Sequence, residues 1–236
     1  MSEVPMMIIE TPPGTDLAAF TVPAVAGSDG SPPRDRPALA GVAVFFHGAN
    51  QIATWRNEKA KEQYWSAMLA SGWFCIALKS PDSAWDVRAE ERDPAWIGDL
   101  LGAVRARFGL AGLRTLYFGF SSGTGPASIQ TFRDPDSPGA VLFCAAGSAV
   151  AARMHPEAQR TIVFAFNRGD RRVELTPQQI DERWAGLPNV TIVQHEAAGG
   201  HEVTWKHAET IRATFGLGPP VTTLARPGGT EAPAGI

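Results

Sequence analysis

The sequence predicts an α/β architecture, with a mostly parallel central sheet and helices on both faces. Three observations predict it. Short continuous apolar runs recur along the chain, at 42–46, 73–78, 115–118, 140–145, 161–166 and 190–194, and such runs suit strands buried on both faces. Segments whose apolar residues return every three or four positions lie between most of them, and strands that alternate with helices make parallel sheets. Polar clusters rich in Gly, Ser, His and Asp stand where the runs end, which is where folds of this kind carry their chemistry.

The elements follow in order. Met7–Glu10 and Leu17–Val22 are short apolar runs separated by Pro12-Pro13-Gly14, and they suit two antiparallel edge strands. Residues 24–37 are rich in Gly, Ser and Pro and read as a loop. Val42–Phe46 is a buried strand, followed directly by His47-Gly48-Ala49-Asn50. Glu58–Ala70 has helical spacing, with Tyr64, Trp65, Met68 and Leu69 on one side and Ser71-Gly72 at its end. Trp73–Leu78 is the next strand, and residues 80–92 form a polar loop containing Trp85. Asp93-Pro94 opens a helix, with Trp96, Ile97, Leu100, Leu101, Val104 and Phe108 at helical spacing.

A strand from Thr115 leads into a short helix ending near Phe132. Asp134–Gly139 is a turn, and Ala140–Ala145 and Thr161–Phe166 are strands. Thr176–Trp184 is a helix capped by Thr176 with Pro177 at its first position. Val190–Gln194 is the last strand, and Gly199-Gly200-His201 leads into a last helix, Glu202–Phe215. Residues 1–215 therefore read as a single domain. Residues 216–236 are rich in Pro, Gly and Thr without apolar patterning and read as a mobile tail.

Bulk composition narrows the partners. A net charge of −3 gives no basic surface for nucleic acid or an anionic membrane. No apolar run approaches the ~20 residues of a spanning helix. Met1–Glu10 has neither a basic start nor a long apolar stretch, so it does not read as a secretory signal, and a cytoplasmic location is expected. Cys75 and Cys144 both fall in apolar runs and read as small core residues rather than a disulfide or a metal pair. The spacing of His195, His201 and His207 does not match zinc ligands, so no metal and no cofactor are expected.

The chemistry-bearing stretch is Gly119-Phe120-Ser121-Ser122-Gly123. A strand that turns at once into a helix leaves little room at the bend. The apex residue is forced into strained backbone, and glycines two positions before and after relieve the crowding. The apex side chain then stands clear of the sheet at the start of a helix, where backbone N–H groups can meet a developing oxyanion. Ser121 alone is centred between the glycines, and Ser122 is its competitor for the nucleophile.

From Val42 to Phe215 the chain resembles the α/β-hydrolase superfamily. The marks are the elbow at Gly119–Gly123, His47-Gly48 after an apolar strand, Gly169-Asp170 after a later strand, and Gly200-His201 near the C-terminus. The order Ser, Asp, His is the family's order. The resemblance implies the fold without a large cap, since only residues 146–160 separate the strand at 140–145 from the next. It implies a serine hydrolase of carboxylic esters acting through an acyl-enzyme. The catalytic residues would be Ser121, His201 and Asp170, and the oxyanion donors the backbone N–H groups of Ser122 and Ala49.

His195 and His207 compete with His201 for the base, and Glu174 with Asp170 for the acid. Gly48, Asn50, Gln51, Trp85 and Met154 are expected to line the substrate site, with Trp55 more suited to packing its loop. His47-Gly48-Ala49-Asn50-Gln51 with Trp55 is also similar to the polyhydroxybutyrate-depolymerase and feruloyl-esterase branch. Thioesterases, dienelactone-type hydrolases and small peptidases share the same triad, and a hydrolase-like binding protein is the non-enzymatic alternative. The expected partner is a small ester.

Overall fold

The computed structural model describes residues 7–10, 20–21, 39–49, 59–78, 80, 85, 93–144, 149–172 and 175–217. Eight strands form one sheet: β1 Met7–Glu10, β2 Phe20–Thr21, β3 Gly41–Phe46, β4 Trp73–Leu78, β5 Thr115–Phe120, β6 Gly139–Phe143, β7 Arg160–Asn167 and β8 Val190–Ala197. Their spatial order is β2-β1-β4-β3-β5-β6-β7-β8. The strands from β4 across to β8 run parallel, and β1 and β2 add an antiparallel edge beside β4.

The helices are α1 Lys59–Ala70, α2 Asp93–Phe108, α3 Thr124–Arg133, α4 Ala149–Met154, α5 Pro177–Trp184 and α6 Ala208–Phe215. Every described residue of β3, β4, β5 and β6 is buried. This is why these strands read as unbroken apolar runs: both faces are covered, so alternation has no polar side to show. Alternate residues feed two cores. Val42, Val44 and Phe46 belong to one apolar cluster with Ile97, Leu101 and Phe108 of α2, Ile129 and Phe132 of α3, and Ile180 and Trp184 of α5. Ala43 and Phe45 meet Tyr64, Trp65 and Met68 of α1 and Ile211 and Phe215 of α6 on the opposite face.

The sequence places most elements within a residue or two, and the departures have physical causes. α4 is absent from the sequence reading because six residues give it less than two turns of pattern. β8 runs on to Ala197, so His195 lies inside the strand, paired in register with Ala165. The last helix begins at Ala208, after a 3₁₀ turn over Trp205–His207. Cys144 has left β6 and adopts φ 53. Gly216 ends α6 at φ 60, and Leu217 still packs on the core. The capping box at Thr176 is complete: its hydroxyl accepts from Gln179 N, and the Gln179 side chain accepts from Thr176 N.

Topology then fixes where a site can form. β4 lies on one side of β3 and β5 on the other, so successive crossovers leave β3 in opposite directions. The crevice between the carboxyl ends of β3 and β5 is such a switch point, where loops diverge and leave room for a ligand. His47-Gly48-Ala49 follows β3, and Ser121 follows β5.

Candidate active site

Ser121 sits at the bend between β5 and α3 with φ 51, one of two positive-φ non-glycine residues among the described residues. A β-carbon at Gly119 would stand 2.5 Å from Gly123 O, and one at Gly123 would stand 2.4 Å from His47 O. Neither contact is tolerable, so both glycines are required by the packing of elbow on strand and loop. Residues 121–123 form a 3₁₀ turn that runs straight into α3, and Thr124 Oγ1 donates to Ser121 O at 2.7 Å. Ser121 therefore stands at the positive end of a ten-residue helix.

His201 lies in the loop after β8. Its Nδ1 is 2.8 Å from Asp170 Oδ2, and its Nε2 is 3.0 Å from Ser121 Oγ. A carboxylate only accepts, so Nδ1 carries the proton and Nε2 presents its lone pair to the serine hydroxyl. Asp170 is held from its other side by Arg172 N, which donates to Oδ1 at 2.8 Å. Its side chain is fully shielded from solvent. Arg168 turns away and pairs with Glu196 at 3.2 Å, and Arg171 and Arg172 are exposed. No guanidinium hydrogen-bonds the carboxylate among the described residues.

The loop after β3 is fixed by His47. This ring is fully buried, Nδ1 lies 2.6 Å from Gly48 O, and Ser80 N donates to Nε2 at 2.9 Å. The second bond assigns Nε2 as acceptor, so Nδ1 carries the proton and donates to Gly48 O. Trp85 Nε1 donates to His47 O at 2.7 Å, and its ring packs on Phe46, His47 and Trp96. The loop is thus clamped against the elbow, with Gly48 so close that a β-carbon there would lie 2.9 Å from the Phe120 ring. Ala49 is exposed beside the crevice.

The candidate residues divide accordingly. Ser121, His201 and Asp170 are brought together in one hydrogen-bonded chain. Trp85 is 5% exposed and turned inward, so it pins the His47 loop instead of offering a ring face to a ligand. Met154 is exposed at the end of α4. Asn50, Gln51, Trp55 and the alternative acid Glu174 lie outside the described residues. His195 and His207 bond to each other, Nδ1 to Nδ1 at 2.7 Å, instead of to the serine.

Three neighbours of the site escaped the sequence reading. Phe120 packs its ring 5.1 Å from that of His201, and Lys61, buried on α1, places Nζ 4.2 Å from the Phe120 centroid. Asn167 binds the backbone around His201. Cys144 is a buried core residue, as the sequence suggests, and it also borders the site: its thiol donates to Glu202 O at 3.1 Å, and burial, followed by the charge of Asp170, pushes its pKa up to about 12. The ligand atoms of Cys144, Asp170 and His201 lie within 4.8 Å of one another. A thiophilic cation there would have to replace the proton that joins Asp170 to His201.

No protein-family model matches the chain, and no curated protein matches its sequence. Solved structures do match its shape. A carboxylesterase from Bacillus cereus aligns with 73% of this chain and 86% of its own, at 15% identity and a TM-score of 0.55. A cold-adapted esterase from an Arctic intertidal metagenomic library aligns with 75% of this chain and 82% of its own, at 18% identity and a TM-score of 0.53. An S-formylglutathione hydrolase from Agrobacterium tumefaciens aligns with 76% and 85%, at 15% identity and a TM-score of 0.53. The chain has the α/β-hydrolase fold, with a parallel sheet of six strands flanked by helices.

Proposed function

We propose that this protein is a carboxylic-ester hydrolase that works through an acyl-enzyme on Ser121. The observation that carries the reading is the continuous chain Asp170 Oδ2, His201 Nδ1 and Nε2, Ser121 Oγ, at 2.8 and 3.0 Å. A serine hydroxyl is a poor nucleophile at neutral pH, and a neutral imidazole within hydrogen-bond reach removes its proton as it attacks. Asp170 holds the ring in the productive tautomer and stabilises the imidazolium that forms. The oxyanion meets the backbone N–H groups of Ser122 and Ala49, and the positive end of α3 adds to the same field.

The cycle then follows. Ser121 Oγ bonds to the ester carbonyl carbon, and His201 takes the hydroxyl proton. The tetrahedral adduct collapses, the C–O bond to the alcohol breaks, and His201 returns the proton to that oxygen. Water then bonds to the acyl carbon as His201 takes its proton, the C–Oγ bond breaks to release the acid, and His201 returns the proton to Ser121 Oγ. The esterase neighbours support the ester as substrate, and the neighbour named as an S-formylglutathione hydrolase makes thioesters the first alternative. Between β6 and β7 the described residues hold only the six-residue α4, which favours small soluble substrates in an open crevice. Gly48 and Met154 are the described candidates for its walls.

A fluorophosphonate probe tests the reading. The wild-type protein should be labelled on Ser121, Ser121→Ala should not be labelled, and Ser122→Ala should remain labelled because its part is played by backbone. Undiminished labelling of Ser121→Ala would overturn the assignment. Esters and thioesters of graded acyl length would then rank the substrates, and a non-catalytic binding protein would show neither labelling nor turnover.

A further inference from the structure

We propose that Asn167 is a positioning residue that sets the His201 ring, an inference that rests on the triad reading above. Asn167 is the last residue of β7 and is 2% exposed. Its Nδ2 donates to Gly200 O and to Glu202 O, both at 2.8 Å. These are the carbonyls of the residues immediately before and after His201. An amide nitrogen has two protons, and both are committed to the two ends of one residue.

The remaining atom of the amide is held as firmly. Asn167 Oδ1 lies 3.1 Å from His207 Nε2, and His207 Nδ1 lies 2.7 Å from His195 Nδ1. Rotating the amide would set its oxygen against two carbonyl oxygens, so the orientation is determined, and Oδ1 accepts. His207 Nε2 therefore carries a proton, its Nδ1 is a lone pair, and His195 Nδ1 must donate to it. The chain His195, His207, Asn167 thus ends on the backbone of the base, in one consistent direction.

The same residue sets the acid. Asn167 O accepts from Asp170 N at 3.0 Å, which closes the turn carrying Asp170. Gly169 N donates to Gly199 O at 2.9 Å and Arg168 N to Ala197 O at 2.8 Å, stitching the two loops together. A β-carbon at Gly199 would stand 3.0 Å from Asn167 Cγ, so the His201 loop lies directly on the amide. Asn167 thereby joins acid and base through one side chain and one backbone oxygen. Asn167→Leu keeps the branching and heavy-atom count of the side chain, removes its polar contacts and leaves the backbone bond to Asp170 N in place. The carbonyls of Gly200 and Glu202 then lose the amide that ties them together and keep only Glu202 N and the Cys144 thiol as donors, and the His201 ring is free to drift from Ser121. Misplacement by about an ångström costs roughly 100-fold in rate without weakening substrate binding.

The test combines kinetics with a spectroscopic signal. In Asn167→Leu, kcat on a short p-nitrophenyl ester should fall about 100-fold while KM changes less than about twofold. The low-field proton resonance of His201 Nδ1–H should broaden or vanish, and the melting transition should stay cooperative. A folded variant with wild-type kcat and an intact resonance would overturn the proposal. If this variant fails to fold, exchange of the Asn167 side-chain amide protons in the wild-type protein decides: protection supports the clamp, and exchange at the rate of an exposed amide overturns it. Turnover retained by Ser121→Ala would instead defeat the nucleophile assignment, and the His201 resonance would still report whether Asn167 holds the ring.

Discussion

Two buried aspartates mark opposite ends of the sheet and serve opposite purposes. Asp134 lies at the amino ends of the strands, just past α3, and Asp170 at the carboxyl ends, past β7. Asp134 is 5% exposed and accepts from Arg105 Nη2 and from Tyr117 OH at 2.7 Å on one oxygen, and from Asp136 N at 3.0 Å on the other. Arg160 adds Nη2 to Asp134 O and Nε to Thr131 O, both at 2.8 Å. Asp170 is shielded as completely, yet among the described residues it receives a backbone N–H and an imidazole N–H and no guanidinium.

The difference lies in the partner's charge. A guanidinium neutralises Asp134, and that carboxylate has nothing left to offer a charge that appears later. In the proposed mechanism, Asp170 keeps its full field for the moment when His201 becomes cationic. The neighbours of Asp134 register the lock. Burial acts to lower the pKa of Arg105, but the bond and charge of Asp134 outweigh it and the net direction is upward. The Tyr117 hydroxyl is pushed well up, first by burial and then by Asp134. Burial and residue type are therefore poor guides to role, and the partner is a good one.

The largest effects should come from breaking the upper end. Asp170→Asn should lower kcat by about 10⁴-fold with little change in unfolding midpoint, because the wrong tautomer of His201 is then favoured. His201→Ala should lose a comparable factor. The double variant should be little worse than the weaker single, since members of one chain act as a unit. Losses that multiply in the double variant would mean the two residues act separately.

The lower end should respond in the opposite currency. Asp134→Asn removes the charge opposite Arg105 and should destabilise the fold by about 3 kcal/mol in urea unfolding, with turnover per folded molecule unchanged. Tyr117→Phe removes one hydrogen bond and should cost about 1 kcal/mol by the same measurement. An Asp134→Asn protein as stable as wild type would erase the contrast between the two aspartates.

A smaller effect concerns pH. Burial, then the neighbouring His195 and Lys206, lowers the His207 pKa from 6.5 to about 4. The unfolded chain therefore binds this proton at higher pH than the folded one does. The neutral form's contribution to stability is complete above about pH 6.5 and should be lost progressively as pH falls toward 4. Urea midpoints measured across that window should slope downward toward acid, and His207→Gln should flatten the slope. The smallest effect sits at Cys144. With its thiol pushed up to about 12, alkylation by iodoacetamide in the native protein should be far slower than after denaturation. Rapid native alkylation at Cys144 would mean that its surroundings are more open than the contacts with Glu202 and Asn167 imply.

Much of this site can be read from the sequence because its key parts are local. The elbow is a steric statement about five consecutive residues, and Gly119 and Gly123 are needed for contacts that those residues make on folding. His201 follows two glycines in a loop past a strand, and Asp170 lies just past another strand end, so position at a sheet end ranks them above their competitors, which share the same chain order. Asn167 is different. In sequence it is one polar residue in Asn167-Arg168-Gly169-Asp170, a turn like many others, and its side-chain partners lie 23 to 40 residues away. Trp85 misleads for the same reason: a tryptophan in a polar loop suggests a ligand surface, but its indole N–H is spent on His47 O, 38 residues upstream. Asp134, too, reads as a turn residue before Pro135, because Arg105 and Tyr117 reach it only through the packing of α2 and β5.

The separation between nucleophile and base also has a meaning in time. Ser121 and His201 are 80 positions apart, and the six elements from α3 to β8 must be made between them. Domains fold as they emerge from the ribosome, with the N-terminal part appearing first. The strained serine can thus be synthesised, and its glycine-lined bend formed, while no imidazole yet exists to arm it. Until β8 has docked beside β7 and brought its loop under Asn167, Ser121 is an ordinary alcohol. On the proposed reading, late arrival of the imidazole leaves the serine unarmed until its own crevice is complete.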